Sequence, residues 1–454
     1  MARGIRPAAR ALLLAALVAI GAGAATAEWL QPDPSLREAL LLLRVAVRDT
    51  IGHGDDPARL DSLGLALMRV GRLEEAALVL RRVLAAEPRD AAAAAAMGKM
   101  ALFSDRLDEA DSLLTLALQG GREPDVVSDL YAVHLRRGAW ARAAELAPDA
   151  GDAGRVPLLE AMAAEPPYRI ASAPRALVRV PWQRSYPTPL VRVKLNGESM
   201  LMALDTGARD LLLDTWAARR AQVRELPSQS RVFWNGTRIG ARNAMVQRLE
   251  IEGLKVEALP AGIASLRKWS LSVNPYGEPV AGVIGLGFLR AFSPTLDYEA
   301  RVLELRPAGT PVTAGAEAPR VPYEIWGESE LTVYGTLAGS RRMALLVQTG
   351  LPECGVAAPA EVFDEIGVKG GAISKAVKST GSLLQGRPWV RVTVPTLSIG
   401  PVVVDKVPGW SGAMDSGELW RHGVRRDAIL SHDAFRGRRV TFDWDARMIV
   451  LEEP

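Results

Sequence analysis

Residues 189–212 read PLVRVKLNGESMLMALDTGARDLL, a pattern of strand, tight turn and second strand that ends in an acidic residue. Asn196-Gly197 is a dipeptide favoured in two-residue β-hairpin turns. The wholly apolar run Leu201–Leu204 predicts a buried strand. Asp205 follows directly, and the hydroxyl of Thr206 and the missing side chain of Gly207 would let backbone groups approach the carboxylate closely. The stretch therefore predicts a strand that presents one carboxylate at its end.

The same arrangement occurs a second time along the chain. Residues 330–356 read ELTVYGTLAGSRRMALLVQTGLPECGV, so that Gln348 stands 143 positions after Asp205. Residues 282–305, GVIGLGFLRAFSPTLDYEARVLEL, are matched by residues 427–451, DAILSHDAFRGRRVTFDWDARMIVL, with Asp443 standing 146 positions after Asp297. Two matches at nearly equal spacing indicate one duplicated β-lobe, joined by a Pro, Gly and Ala-rich linker.

These motifs resemble the pepsin and retropepsin family of aspartic peptidases, and specifically bacterial retropepsin-like domains. The resemblance rests on Asp205-Thr206-Gly207 after an apolar strand, on the later segment Val283-Ile284-Gly285, and on the duplication. It extends from near Arg175 to the end of the chain. It implies an all-β acid-protease fold with lobes at residues 175–306 and 319–454, and an extended polypeptide bound in the cleft between them.

In that family each lobe contributes one aspartate, and the two carboxylates share a proton while they hold the attacking water. The resemblance assigns the water-holding role to Asp205. The second position departs from the pattern, because it is Gln348, followed by the family's Thr349 and Gly350. A glutamine amide can donate a hydrogen bond to an oxyanion but cannot exchange a proton, and loss of one acid–base partner costs a factor of about 10²–10⁴ in rate.

Two interpretations stay open at this point. The chain is an aspartic-type endopeptidase with an incomplete catalytic dyad, or it is a catalytically dead pseudo-peptidase that binds peptide or acts as a scaffold through its cleft and its helices. A flap over the cleft is expected at Trp234, Asn235 and Gly236, with an ordinary hairpin that buries Trp234 as the alternative. Asp210 and Asp214 are interpreted as solvated charges at strand ends.

The region before Pro166 has a helical repeat. Gly64 recurs as Gly98, and Ala76 recurs as Ala110 and then as Ala143, at a nearly constant spacing. Each unit predicts two helices around a short polar turn, at Gly71, Asp105 and Gly138. Residues 34–165 thus resemble tetratricopeptide repeats, which implies a protein partner for them; an ordinary helical bundle is the alternative. The predicted fold class is a multidomain chain with an all-α helical repeat followed by the all-β two-lobed part.

Residues 1–27 carry three Arg, an apolar run and the ending Ala25-Thr26-Ala27, and they predict a cleaved secretory signal. The expected product is an exported protein, periplasmic or secreted, that is soluble and has no membrane span. Without this segment the charges balance at 52 basic against 52 acidic residues, so no nucleic-acid partner is predicted. With one Cys and four scattered His, the sequence predicts no metal site and no cofactor.

Overall fold

The computed structural model describes residues 36–51, 56–234, 237–315, 317–370 and 389–453. The predicted secretory signal lies outside the described residues. A helical region is followed by a β-rich region that begins at Arg169, which confirms the predicted order of fold classes. The first β-strand thus precedes the expected start of lobe 1 at residue 175.

Eight α-helices make up the described part of the helical region. They are α1 (Leu36–Thr50), α2 (Pro57–Arg69), α3 (Leu73–Ala86), α4 (Ala91–Phe103), α5 (Leu107–Ala117), α6 (Pro124–Arg136), α7 (Trp140–Leu146) and α8 (Val156–Ala164). Asp56 and Asp90 fix two of the helix starts, since each carboxylate accepts a hydrogen bond from a backbone N–H of the first turn.

Equivalent contacts recur from one repeat to the next in these helices. A Cβ atom at Gly64 would lie 2.5 Å from Leu80 Cγ, and one at Gly98 would lie 2.8 Å from Leu114 Cγ. Glycine at both positions therefore lets the paired helices approach closely. The recurrence supports the tetratricopeptide-like assignment, which stays a prediction.

Lobe 1 is built on an eight-stranded sheet in the order β1-β8-β5-β9-β4-β3-β7-β6. Its strands are β1 (Arg169–Ser172), β3 (Leu190–Leu195), β4 (Glu198–Leu204), β5 (Leu211–Asp214), β6 (Arg224–Trp234), β7 (Thr237–Ile251), β8 (Leu254–Ala264) and β9 (Val280–Ile284). The short helices α9 (Thr215–Arg220), α10 (Arg267–Val273) and α11 (Leu286–Arg290) connect them.

Lobe 2 and the ends of lobe 1 share a twelve-stranded sheet in the order β14-β18-β15-β17-β16-β13-β12-β20-β19-β10-β11-β2. The strands from lobe 1 are β2 (Val178–Pro181), β10 (Phe292–Asp297) and β11 (Val302–Pro307). Those of lobe 2 are β12 (Arg320–Trp326), β13 (Glu330–Leu337), β14 (Met343–Val347), β15 (Val356–Ala358), β16 (Val390–Ile399), β17 (Val402–Ser411), β18 (Ala428–Leu430), β19 (Arg439–Asp443) and β20 (Met448–Glu452), with helix α12 (Ala360–Glu365) after β15.

The two lobes join where β10 pairs with β19. The strands are antiparallel, and Thr295 lies opposite Thr441, its counterpart in the duplicated sequence. The two hydroxyl oxygens are 2.8 Å apart and hydrogen-bonded in a buried position. The seam between the lobes is therefore a continuous hydrogen-bonded sheet.

The helical region packs against both lobes. Phe103 of α4 stacks on Trp326 of β12, with ring centroids 4.8 Å apart. On the other lobe, Met245 and Ala258 belong to the same buried apolar cluster as the side chains of α6, α7 and α8. The helices thus share hydrophobic cores with the lobes on both sides.

Candidate functional site

Asp205 lies at the end of β4, where the chain leaves the core of lobe 1. β4 pairs in parallel with β9, which aligns Leu204 with Ile284. The Asp205 N–H continues this ladder by donating to the Ile284 carbonyl at 3.0 Å. The Gly207 N–H donates to Asp205 Oδ1 at 2.8 Å, and the aspartate is fully buried. The apolar strand and the glycine therefore hold the carboxyl group as the sequence predicts.

Gln348 occupies the corresponding place in lobe 2. Strands β14 and β18 pair in parallel and align Val347 with Leu430. The Gln348 N–H donates to the Leu430 carbonyl at 2.8 Å, and the residue is fully buried. The structure thus brings together the two positions that the duplicated sequence aligns.

Thr206 and Thr349 exchange hydrogen bonds across the lobe boundary. The Thr206 N–H donates to Thr349 Oγ1 at 3.1 Å, and the Thr349 N–H donates to Thr206 Oγ1 at 3.2 Å. The Thr206 hydroxyl also donates to the Val347 carbonyl at 2.9 Å, and the Thr349 hydroxyl lies 3.5 Å from the Leu204 carbonyl. Each hydroxyl therefore contacts the end of a strand in the opposite lobe, and these contacts fix the two loops relative to each other.

Gly207 and Gly350 are each covered by a side chain of the opposite lobe. A Cβ atom at Gly350 would overlap Asp205 Oδ2, and one at Gly207 would overlap Gln348 Cγ. Only glycine leaves room for these approaches. The Asp205 carboxyl group and the Gln348 amide consequently lie at one place on the interface between the lobes.

Burial raises the pKa of Asp205 from 3.8 to about 6, although the backbone amides of Gly207, Ala208 and Gly350 oppose the rise. Its Oδ2 atom has no hydrogen-bond partner within the described residues. The same holds for Gln348 Nε2 and Oε1. Buried polar atoms without a partner are uncommon in native proteins, so these three atoms mark the interface between the lobes as the candidate site.

A second buried chain of hydrogen bonds crosses between the lobes through the loop that follows β18. His432 Nε2 is 2.8 Å from Thr188 Oγ1, and His432 Nδ1 is 2.8 Å from the Tyr298 hydroxyl. Burial lowers the pKa of His432 to about 3, so the imidazole is neutral across the physiological range. Its neighbour Ser431 donates to the Leu351 carbonyl at 3.0 Å, which fixes this loop beside the one that carries Gln348.

A cavity of about 610 Å³ adjoins the loop that follows Asp205. Its lining comes from that loop, from the β6–β7 hairpin, from lobe 2 and from the helical region, and it includes Gly207, Ala208, Phe233, Glu328, His422 and Tyr131. This volume is within the range of about 300–1,000 Å³ typical of small-ligand sites. Sequence reasoning did not identify the helical part of the lining, because no local motif reports contacts between distant segments.

The hairpin expected to form a flap is formed by β6 and β7, and Trp234 pairs with Thr237 at its end. Trp234 is 2% exposed and packs edge-on against Trp269, with ring centroids 5.0 Å apart. Its ring therefore belongs to the core of lobe 1. Asn235 and Gly236 lie outside the described residues. Phe233, the preceding residue, is the aromatic side chain that lines the cavity.

The interpretation of Asp210 and Asp214 as solvated charges is wrong. Asp210 accepts a hydrogen bond from the Tyr168 hydroxyl at 2.8 Å and one from Arg209 Nε at 3.0 Å. Asp214 is 4% exposed and caps the start of α9 by accepting from the Trp216 N–H. Both carboxylates accept hydrogen bonds from protein groups in place of water, so the two ends of β5 can be buried around them.

Comparison with known protein families gives a match in lobe 1. Residues 191–288, which include Asp205 and the Val283-Ile284-Gly285 segment, match the family model described as aspartyl protease. Comparison with curated protein sequences finds no significant match. Lobe 1 thus carries an aspartic-protease-like domain, in agreement with the resemblance drawn from its motifs.

Two further properties of the described residues bear on chemistry and location. Within them, no group of three or more His, Cys, Asp or Glu side chains is arranged to hold a metal ion. No helix in that same part of the chain combines the length and apolar composition needed to cross a bilayer.

Proposed function

We propose that this chain binds an extended polypeptide between its two β-lobes, with Asp205 and Gln348 contacting the backbone of the ligand, and that it hydrolyses this ligand slowly or not at all. The observation that carries the proposal is the mirrored hydrogen bonding of Thr206 and Thr349. These hydrogen bonds fix the loop that carries Asp205 against the loop that carries Gln348, although the second loop has an amide where a catalytic pair would have a carboxylate.

The three unpaired polar atoms of Asp205 and Gln348 suit a peptide backbone. Gln348 Nε2 can donate to a ligand carbonyl, and Gln348 Oε1 can accept from an amide N–H. Asp205 Oδ2 accepts when the carboxyl group is ionised and donates when it is protonated. Because burial raises the pKa of Asp205 to about 6, both forms are accessible near neutral pH.

The same two side chains lack one of the proton-transfer groups that peptide hydrolysis requires. Water attack needs a base to take a proton and an acid to protonate the leaving group or the carbonyl oxygen. An ionised Asp205 can hold and activate a water, but Gln348 has no proton to transfer. We expect hydrolysis to fall by a factor of about 10²–10⁴ below that of a complete carboxylate pair.

The retained Asp205 favours an aspartic-type endopeptidase as a second candidate function. A carboxyl group with a pKa raised to about 6 is suited to general acid–base chemistry in mildly acidic solution. In this view the helices recruit a protein and the lobes cut it. Export to the periplasm or the medium is part of both proposals and rests on the N-terminal segment that ends in Ala25-Thr26-Ala27.

The test uses the full chain and unfolded casein between pH 4 and pH 7. Binding is measured by polarisation of fluorescently labelled casein peptides, and cleavage is measured by mass spectrometry. The proposal expects saturable binding with few or no fragments. Rapid fragmentation that Asp205→Asn abolishes would replace it with a true peptidase, and the absence of both binding and fragments would overturn it.

A further inference from the structure

The helical region forms one wall of the cavity beside Asp205. On α6, Ser128 and Tyr131 line the cavity, and Asp152 and Gly154 line it from the loop ahead of α8. The loop that follows Asp205 contributes Gly207 to the same lining. The cavity that begins two residues after Asp205 is therefore bounded by a helical surface on this side.

Arg155 directly follows Gly154 in the sequence and contacts a carboxylate of each lobe. Its side chain is 1% exposed, and Nη1 donates to Glu328 of lobe 2 at 2.6 Å while Nη2 lies 3.5 Å from Asp210 of lobe 1. Arg209 contacts the same two carboxylates, at 2.7 Å to Glu328 and 3.0 Å to Asp210. Separating the partners of such a buried network is strongly unfavourable, because it leaves buried charges without compensation. The lobes are consequently closed against each other at this position.

The wall also contacts the β6–β7 hairpin directly. Asn243 Nδ2 donates to the Gly154 carbonyl at 2.8 Å. A side chain at Gly154 would overlap the carbonyl oxygen of Gln229 in β6. The helical region and the hairpin thus meet backbone to backbone, with no gap for a polypeptide between them.

On the other side the wall reaches lobe 2. Arg136 of α6 donates from Nε to the Gly327 carbonyl at 3.0 Å. Lys99 of α4 donates to the His422 carbonyl at 3.2 Å. Both acceptors belong to residues that line the cavity. The helical region therefore contacts both the β6–β7 hairpin and lobe 2, which line other parts of the cavity.

We infer that the cleft accepts the end of a polypeptide chain, whose last residues fill the cavity, and does not accept a chain that passes through. A ligand that contacts Asp205 and Gln348 and extends past Gly207 would enter the cavity and meet the helical wall there. To continue, it would have to separate Arg155 from Asp210 and Glu328. This inference rests on the proposed function and specifies its ligand.

Charged residues of both signs line the cavity, and each already has a partner within the protein. Asp129 is paired with Lys99, Asp152 accepts a hydrogen bond from the Tyr131 hydroxyl, and Arg238 and Arg421 both contact Glu418. The inference is therefore steric: the cavity ends the path of the chain, and the experiment shows which terminus enters it.

The experiment passes tryptic peptides of unfolded casein over the immobilised full-length chain and identifies retained peptides by mass spectrometry. One retained peptide is then synthesised in its free form, N-acetylated, C-amidated, and with a flexible extension at either end. We expect extension at one end to weaken binding at least tenfold and extension at the other end to have little effect. The blocked forms show which terminus is bound.

Tolerance of extension at both ends would overturn the inference while leaving the proposed function intact. If no peptide is retained, the proposed function fails and the inference fails with it. The two failures are therefore distinct.

A matched pair of variants tests the helical wall itself. Ser128→Trp places a large side chain in the cavity from an exposed position on α6, whereas Asp125→Trp places it one turn earlier, outside the cavity lining. We expect the first variant to lose at least tenfold in peptide affinity and the second to bind like the unchanged chain, with equal Tm values. Equal affinity of both variants would exclude the wall from the binding site.

Discussion

The ring of Phe103 in the helical region lies face to face with the ring of Trp326 in lobe 2, with an interplanar angle of 14°. Both side chains are fully buried, and they belong to a cluster that combines residues of α2, α3 and α4 with residues of the second lobe. The border between helices and strands is thus an apolar core. A border of this kind couples the stability of the two regions.

We predict that Phe103→Ala lowers the free energy of unfolding by about 3–5 kcal/mol, because it leaves a cavity beside Trp326. The change should destabilise lobe 2 as well as the helices. Far-UV circular dichroism and hydrogen exchange of β12 and β13 amides should report the same transition. The control is Leu78→Ala on α3, where the side chain is 62% exposed and little change is expected. Two separate transitions would show that the regions fold independently.

The pKa of Asp205 predicts a pH-dependent stability. Its pKa is about 6 in the folded chain and near 3.8 in the unfolded chain, so the folded state binds the proton more tightly. The contribution of the protonated group is fully present below about pH 4 and is lost as the pH rises to about 6. We predict that Asp205→Asn, which is neutral at all pH values, raises the free energy of unfolding by about 2–3 kcal/mol at pH 7.

At pH 4 the same substitution should have almost no effect. Urea unfolding of both proteins at the two pH values is the measurement, and the difference between the proteins removes the contribution of other titrating groups. A stabilisation that is equal at pH 4 and pH 7 would contradict the raised pKa.

Restoring the second carboxylate should restore hydrolysis. Because the hydrogen bonds between Thr206 and Thr349 already fix the two loops relative to each other, we predict that Gln348→Asp increases casein cleavage by a factor of about 10²–10⁴, most clearly in mildly acidic solution. Fragment yield by mass spectrometry is the measurement. The double variant Asp205→Asn/Gln348→Asp is the control and should be inactive. A folded Gln348→Asp protein with no gain would mean that the two side chains do not act on one ligand bond.

The threonine exchange predicts an effect on stability. Thr206→Val keeps the shape of the side chain but leaves the Thr349 N–H and the Val347 carbonyl without a partner, so we expect a loss of about 2–4 kcal/mol. Thr206→Ser retains the hydroxyl and should lose about 1 kcal/mol. Equilibrium urea unfolding distinguishes the two variants. Equal losses would mean that the methyl group, and not the hydrogen bonding, supports this contact.

The sequence predicted the parts of the site that follow from strand order and duplication. The apolar run before Asp205 placed its carboxyl group, and the spacing to Gln348 placed the partner. The contact of Arg155 with Glu328 could not be predicted, because it joins two segments that are far apart in the chain and share no motif. Trp234 shows a further limit, since an aromatic residue at a hairpin tip has the same local sequence whether it covers a cleft or fills a core.

The antiparallel pairing of Thr295 with Thr441 has a consequence for how this site could arise. In a symmetric dimer of identical chains every substitution appears twice, so a carboxylate could never face an amide across the axis. Here the two lobes are duplicated segments of one polypeptide, and each is encoded separately. One half can therefore change its chemistry while the other keeps it, and inheritance of the asymmetry requires no second gene.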